Sequence, residues 1–379
     1  VILSSIPLSL YVHFPWCEAK CPYCDFNSHG LKAALPETEY IEHLLDDLSQ
    51  DALHIGERSI QSIFIGGGTP SLISAQGITR LIQGIQARVP VMPNAEITLE
   101  ANPCSVEADK FALFQQAGVN RLSIGVQSFS KQKLQALGRV HNEEQAYRAI
   151  DLAKRIPLNS FNIDLMHGLP DQQLAQGLDD LYQAVVHQPP HISWYQLTIE
   201  ANTAFHSQPP TLPEEDTLWD IQEQGHAYLM QQGYVQYEIS AYAKPEFECL
   251  HNLNYWQFGD YLGIGCGAHG KITDETGVWR TVKTKHPKGY MDLTRSYLYQ
   301  KQRVAEQALP FEYFLNRLRL LAPCPKAEYP QLTGYHLPDA VINSLDTASE
   351  NGLLLQDAQS WQLTEKGKRY LNSLLETLC

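Results

Sequence analysis

Leu8-Ser9-Leu10-Tyr11-Val12-His13-Phe14-Pro15-Trp16-Cys17-Glu18-Ala19-Lys20-Cys21-Pro22-Tyr23-Cys24 decides how the rest of the chain is read. A strand-like apolar run opens into a short loop carrying Cys17, Cys21 and Cys24. Thiolates crowded on one loop suit a metal centre, because adjacent anionic sulfurs need a cation among them. Their number is informative. A closed zinc site or an electron-transfer [4Fe–4S] cluster normally takes four protein ligands. Three leave one iron of a cubane free to hold something else.

From this run to about Ala243, β-rich stretches alternate with amphipathic ones. Strands are expected at Leu8–His13, Ser62–Gly66, Glu96–Ala101, Arg121–Gly125, Ser160–Asp164 and His191–Ile199. Helical patterns lie at Tyr40–Ala52, Ala75–Arg88, Val106–Ala117, Glu143–Arg155, Leu174–Val186 and Asp216–Gln232. This alternation predicts an α/β fold, a parallel sheet with right-handed crossovers. Six units fit a partial, TIM-like (β/α)6 barrel better than a full eight. Residues Tyr234–Gly270, rich in aromatics and glycine, break the pattern and are expected as an excursion beside the barrel mouth. Phe311–Leu321 reads as a helix, and the tail from Gly352 as a strand–turn–strand wing followed by a helix. The expected division is a barrel over 1–243, an extension over 244–302 and a small α+β, winged-helix-like domain over 303–379.

The chain has 379 residues, is 44% hydrophobic and carries a net charge of −14. That length suggests about two domains. The acidic balance argues against broad electrostatic binding to nucleic acid or anionic lipid, so the wing reads as a packing domain rather than a DNA reader. No run is long and apolar enough to span a bilayer. Val1–Pro7 lacks the basic leader of a signal peptide. Three of the eight cysteines sit in the motif and the others are scattered. Reduced thiols in the cytoplasm are therefore expected.

Barrel sites form at the C-terminal ends of strands. Gly66-Gly67-Gly68-Thr69-Pro70 stands at such an end, where glycines let the backbone turn and approach a ligand. Glu100, Gln127 and Asp164 each follow an apolar strand on the same expected rim. Singly, each suits a turn or a helix cap equally well. Arg139 offers a fixed cation to a carboxylate, or a surface salt bridge.

Taken together, CxxxCxxC, GGGTP, Glu100, Gln127, Arg139 and Asp164 resemble the radical S-adenosylmethionine (SAM) superfamily. YVHFPWC, FIGGGTPS, SIGVQSF, DLMHGLPDQ and HNLNYW resemble its oxygen-independent coproporphyrinogen III oxidase-like branch, and within it the haem chaperones. The resemblance covers essentially the whole chain. It implies that Cys17, Cys21 and Cys24 bind three irons of a [4Fe–4S] cluster whose fourth iron chelates SAM. Tyr11 and the Gly67, Gly68 and Thr69 backbone would then line the SAM site, with Glu100, Gln127, Arg139 and Asp164 as further SAM contacts. Tyr23 either shields the cluster, packs on adenine or fills the loop core.

In the haem-chaperone group, HNxxYW is associated with haem binding. It stands here as His251-Asn252-Leu253-Asn254-Tyr255-Trp256, which makes His251 the first candidate iron ligand. Read without the family, the string is a turn with a packed Tyr–Trp pair and a surface histidine. A rival set, Cys249, His251, Cys266 and His269, has the residue types for zinc but poor spacing.

Two activities compete: delivery of haem to haemoproteins, and oxidative decarboxylation of coproporphyrinogen III. The oxidases typically carry CxxxCxxCxC, whereas Phe26 stands two residues after Cys24 here. They also have an N-terminal extension, whereas seven residues precede Leu8. Both departures favour the chaperone and argue against the decarboxylase. Radical chemistry on another porphyrin or on haem itself is a third reading. The resemblance further implies respiratory enzymes as haem recipients, transient contact with the inner face of the cell membrane, and a monomer–dimer balance.

Overall fold

The computed structural model describes residues 3–104 and 108–378. Six parallel strands form its centre: β1 (Leu8–Phe14), β2 (Ile60–Gly67), β3 (Val91–Ala101), β4 (Arg121–Gln127), β5 (Ser160–His167) and β6 (His191–Gln196). They lie side by side in chain order. The intervening helices are α1 (Glu37–Asp51), α2 (Ala75–Gln86), α3 (Phe111–Gln116), α4 (Glu143–Arg155) and α5 (Leu174–Val186), with α6 (Glu215–Gln231) after β6. The start of the expected helix Val106–Ala117 lies outside the described residues.

The local chemistry explains these elements. Ser74 caps α2 by accepting from Gly77 N, and Ile78, Leu81, Ile82 and Ile85 bury one face at helical spacing. Asn142 and Gln145 form a capping box that starts α4. Along β1, Leu8, Leu10, Val12 and Phe14 belong to the same apolar core as Tyr40, Leu44 and Leu48 of α1. The alternate residues Ser9, Tyr11 and His13 face the barrel interior. There Ser9 meets Ser62 of β2 at 2.7 Å and Tyr11 meets His13 at 3.0 Å. Period-two alternation thus puts an apolar layer outside the sheet and a polar lining within it.

The excursion expected beside the mouth reaches it only at its end, where Cys266 meets Asn27 of the cysteine loop. β7 (Val235–Glu238) and β8 (Ala241–Ala243) add antiparallel strands beyond β6. The chain then forms α7 (Leu250–Trp256) and enters β9 (Asp260–Ile264), which pairs parallel with the other edge of β1. Glu96, where β3 resumes its pairing with β2 after a register shift, accepts from the Leu250 and His251 amides. α7 therefore crosses the end of the barrel opposite the cysteine loop. β10 (His269–Asp274), β11 (Gly277–Lys283) and β12 (Leu298–Arg303) continue antiparallel, giving a 12-stranded sheet in the order β12-β11-β10-β9-β1-β2-β3-β4-β5-β6-β8-β7.

A second apolar core runs from Phe258 to Leu378. It joins α8 (Leu309–Arg317) to a three-stranded sheet of β13 (Cys324–Pro325), β14 (Leu354–Gln356) and β15 (Ser360–Leu363), with α9 (Asp339–Glu350) and α10 (Leu371–Glu376). The helix expected over Phe311–Leu321 stops at Arg317. Its expected last residues are taken by the main sheet: Ile239 N donates to Arg319 O, and Leu321 N to Tyr237 O, both at 3.1 Å. Likewise β6 ends at Gln196 rather than Ile199. Leu197 N still donates to His167 O, and Thr198 then turns onto Glu200.

Candidate radical SAM site

The cysteine loop is closed at its base. Trp16–Cys17 pairs with His29–Gly30, and Leu31 N donates to Cys17 O. Inside it, Cys24 N donates to Cys21 O at 3.1 Å, and the Lys20 ammonium donates to Phe26 O. Asn27 pins the far limb by donating to the carbonyls of Cys266 and Lys285. Among the described residues, Cys17, Cys21 and Cys24 form no disulfide, and they are half-buried. Burial pushes the Cys17 thiol up, opposed by hydrogen bonds from Thr69 and Ser28.

The GGGTP turn packs against this loop. Gly68 N donates to Phe14 O at 2.6 Å and Thr69 N to Trp16 O at 2.8 Å. A Cβ on Gly68 would stand 2.4 Å from Trp16 O, and one on Gly67, whose φ is +116°, would strike the His13 ring at 2.5 Å. The glycines are therefore required by neighbouring protein atoms, besides whatever they offer a ligand.

A cavity of about 430 Å³ opens at this rim. Its walls bring together Cys17, Cys21, Cys24, Tyr23, Gly67, Gly68, Thr69, Glu100, Gln127, Arg139 and Asp164. Tyr11 and His251 are absent from these walls. Tyr11 lies deeper in the barrel, donating to His13 Nδ1, whose other nitrogen meets Asn27 O at 2.9 Å. Asn102 and Ser123, which carry no motif signal, join the lining. The clue to Asn102 was its place directly after β3 and before Pro103.

The electrostatics favour a ligand that carries both charges. Glu100 accepts from Gly67 N at 2.9 Å, and burial, helped by Asp164, pushes its carboxyl up to about 7. Asp164 accepts from Ser123 Oγ at 3.0 Å and Asn162 Nδ2 at 2.8 Å; burial raises it too, against those bonds. Arg139 faces them. Its Nη2 donates to Asn102 Oδ1 and Gly125 O, and its Nη1 stands 3.6 Å from the Cys21 sulfur. Among the described residues, Arg139 Nε is buried without a partner. A guanidinium and two buried carboxyls on the walls of one cavity fit a ligand with one carboxylate, a cationic centre and hydroxyls. Among the described residues, no three His, Cys, Asp or Glu side chains converge as a single ion requires. A cubane asks for something different, since each thiolate takes its own iron.

His251 lies inside the barrel rather than at the surface. Glu96 caps its helix, its ring stands 5.1 Å from Phe64 and 6.3 Å from Tyr11, and its Nδ1 is 3.3 Å from Ser62 Oγ. Burial, with Arg121 nearby, pushes its pKa down to about 3, so the imidazole is neutral. Tyr255 and Trp256 pack edge-on at 4.8 Å. The zinc set fails on position. The Cys249 thiol bonds Glu96 at the α7 end, whereas Cys266 bonds Lys285 O near the cysteine loop, with the length of β9 between them.

The rim, the three-thiol loop and the mixed-charge cavity define a radical SAM protein. Residues 11–181 match the radical SAM superfamily model and residues 304–370 match the HemN C-terminal domain. The heme chaperone HemW of Escherichia coli is 56% identical over 371 residues, covering 98% of this chain and 97% of that protein. HemW of Haemophilus influenzae is 56% identical over 375 residues, with the same coverage, and HemW of Bacillus subtilis 33% over 369 residues, covering 95% of this chain and 96% of that one. The chain belongs to the HemW family. The fold is also that of E. coli coproporphyrinogen III oxidase (HemN), with a TM-score of 0.84 at 24% identity over 98% of this chain and 90% of that one.

Proposed function

We propose that this protein is a haem chaperone that carries a [4Fe–4S] cluster and SAM on its barrel. The observation that carries this reading is the 56% identity, over nearly the full length of both chains, to proteins named heme chaperone. Cys17, Cys21 and Cys24 would hold three irons. Glu100 and Asp164 suit the cationic and hydroxyl groups of SAM, and Arg139 its carboxylate, with Gln127 and the Gly67–Thr69 turn beside them. A reduced cluster with SAM supplies a 5′-deoxyadenosyl radical when it reacts. The residues described here bind, orient and exclude water.

His251 is the candidate axial ligand for haem. Its depressed pKa leaves a ring nitrogen unprotonated at any physiological pH, as iron ligation needs. The ring is enclosed, so iron reaches it through a movement of α7. Recipient haemoproteins, with respiratory enzymes foremost, and transient membrane contact complete this reading.

Coproporphyrinogen decarboxylation is disfavoured by the cavity mouth. Glu18, Asp25 and Glu200 line it and are exposed. A substrate bearing several propionates meets like charge there. Phe26 stands 58% exposed where the oxidases place a further cysteine. The test is an anaerobic assay of cluster-loaded protein for haem binding and for decarboxylation, side by side. Haem binding without turnover is expected; formation of protoporphyrinogen overturns the proposal.

A further inference from the structure

We infer that Asp180, on α5 and outside every motif named above, is a positioning residue for the SAM site: it holds the turn that presents Gln127 to the cavity. The inference rests on the reading of Gln127 as a SAM contact.

Gln127 closes β4 with φ at 67°, in the left-handed region that non-glycine residues avoid. The pairing of β4 with β5 shifts register between Gly125 and Gln127, so the strand bulges there. The turn tightens at once, with Ser128 N donating to Val126 O at 2.9 Å. This bulge aims the side chain. A Cβ built on Gly125 would meet Gln127 Nε2 at 3.0 Å and Arg139 Nη2 at 3.3 Å, so both polar groups lie over the same glycine at the cavity wall.

Asp180 keeps the chain in that shape. Its Oδ1 accepts from Phe129 N at 2.7 Å, and both its oxygens accept from Ser128 Oγ, at 2.9 and 2.8 Å. Ser128 Oγ in turn accepts from Ser130 N at 3.0 Å. The carboxyl is 2% exposed. Lys133, whose charge it feels, gives its ammonium to Pro170 O instead. A buried carboxyl without an ion pair is expensive for a fold. An apolar residue would pack α5 at that position, but it would not hold Ser128 and the Phe129 amide behind a strained residue. Strain kept at a ligand wall by a costly buried group reads as preorganisation.

The test is a double-mutant cycle on cluster-loaded protein, reading SAM affinity by equilibrium dialysis. Asp180→Ala weakens SAM binding about tenfold, because it leaves the Phe129 amide buried and unpaired. Asp180→Asn, whose carboxamide oxygen still accepts from that amide, loses less. In a Gln127→Ala background, Asp180→Ala costs less than about twofold, since the residue it serves is gone. Asp47→Ala, removing another buried carboxyl, on α1, lowers thermal stability and leaves SAM affinity unchanged. Should Asp180→Ala fail to fold, Ser128→Ala runs the same cycle with a smaller effect. Additive losses, or unchanged affinity in a folded Asp180→Ala, overturn the inference while leaving the SAM reading intact. Absence of SAM binding by the unaltered protein overturns both.

Discussion

The Asn102 side-chain oxygen accepts from Arg139 Nη2 at 2.6 Å, while its nitrogen donates to Thr69 Oγ1 at 3.2 Å. One carboxamide thus ties the guanidinium to the turn that follows the GGGTP glycines. Asn102→Ala removes both ties. SAM affinity is expected to fall by roughly three- to tenfold, less than the full worth of a hydrogen bond to a charged group, because Gly125 O still holds Nη2. The cluster absorbance stays unchanged, because the three thiols keep their loop. Isothermal titration with SAM on anaerobically reconstituted protein checks this; unaltered affinity shows that Arg139 holds its place unaided.

Glu100 makes SAM binding pH-dependent. Burial holds its folded pKa near 7, above the ordinary 4.5. Below about 7 the protonated form predominates. Stability contributed by that proton is fully present below the ordinary value and lost as pH rises through about 7. A cationic ligand prefers the ionised form. SAM affinity is therefore expected to rise between pH 6 and 8 and then level, as a roughly one-proton effect. Glu100→Gln flattens the profile and lowers the plateau. A profile in that variant as steep as in the unaltered protein assigns the proton elsewhere.

Gly68→Ala tests the turn itself. The added methyl would lie 2.4 Å from the Trp16 carbonyl, and backbone has to shift to admit it. A destabilisation of about 1–3 kcal/mol is expected, typical of overpacking. Gly30, where an added Cβ meets nothing within 4 Å, is the control. Thermal melting of Gly68→Ala and Gly30→Ala compares the two, and equal melting temperatures refute the steric account.

The two candidate iron sites should separate cleanly. Cys17→Ala is expected to abolish the cluster's visible absorbance. His251→Ala should leave it intact while changing the haem spectrum and weakening haem at least about tenfold. Glu96→Gln should act in the same direction more weakly, because Glu96 caps the helix that carries His251. Neither Cys249→Ser nor Cys266→Ser should release bound metal. An unchanged haem spectrum in His251→Ala removes that residue from the role.

Much of the barrel was legible along the chain. Each of the six strands and its following helix carried its own period, and the loop cysteines and Glu100 stood at strand ends, where geometry puts ligands, whereas β5 runs on past Asp164 to His167, so that Asp164 lines the cavity from within its strand. The signal failed where long-range pairing overrode local pattern. Leu318–Leu321 has helical composition, yet 319–321 are claimed by residues 237–239. The stretch around HNLNYW has no strand period that reveals β9 as a neighbour of β1, because that partner is some 250 residues away in sequence.

By itself, the sequence determined the class of fold and the three-thiol loop, since hydrophobic periodicity and a crowded cysteine motif are local properties of a chain. The tertiary structure alone decided that Asn102 steadies Arg139, that Asp180 stands behind Gln127, and that His251 is enclosed against Phe64 beneath the cavity. Those relationships join side chains from different strands and helices, and such distances exist only once the sheet has brought its strands into register.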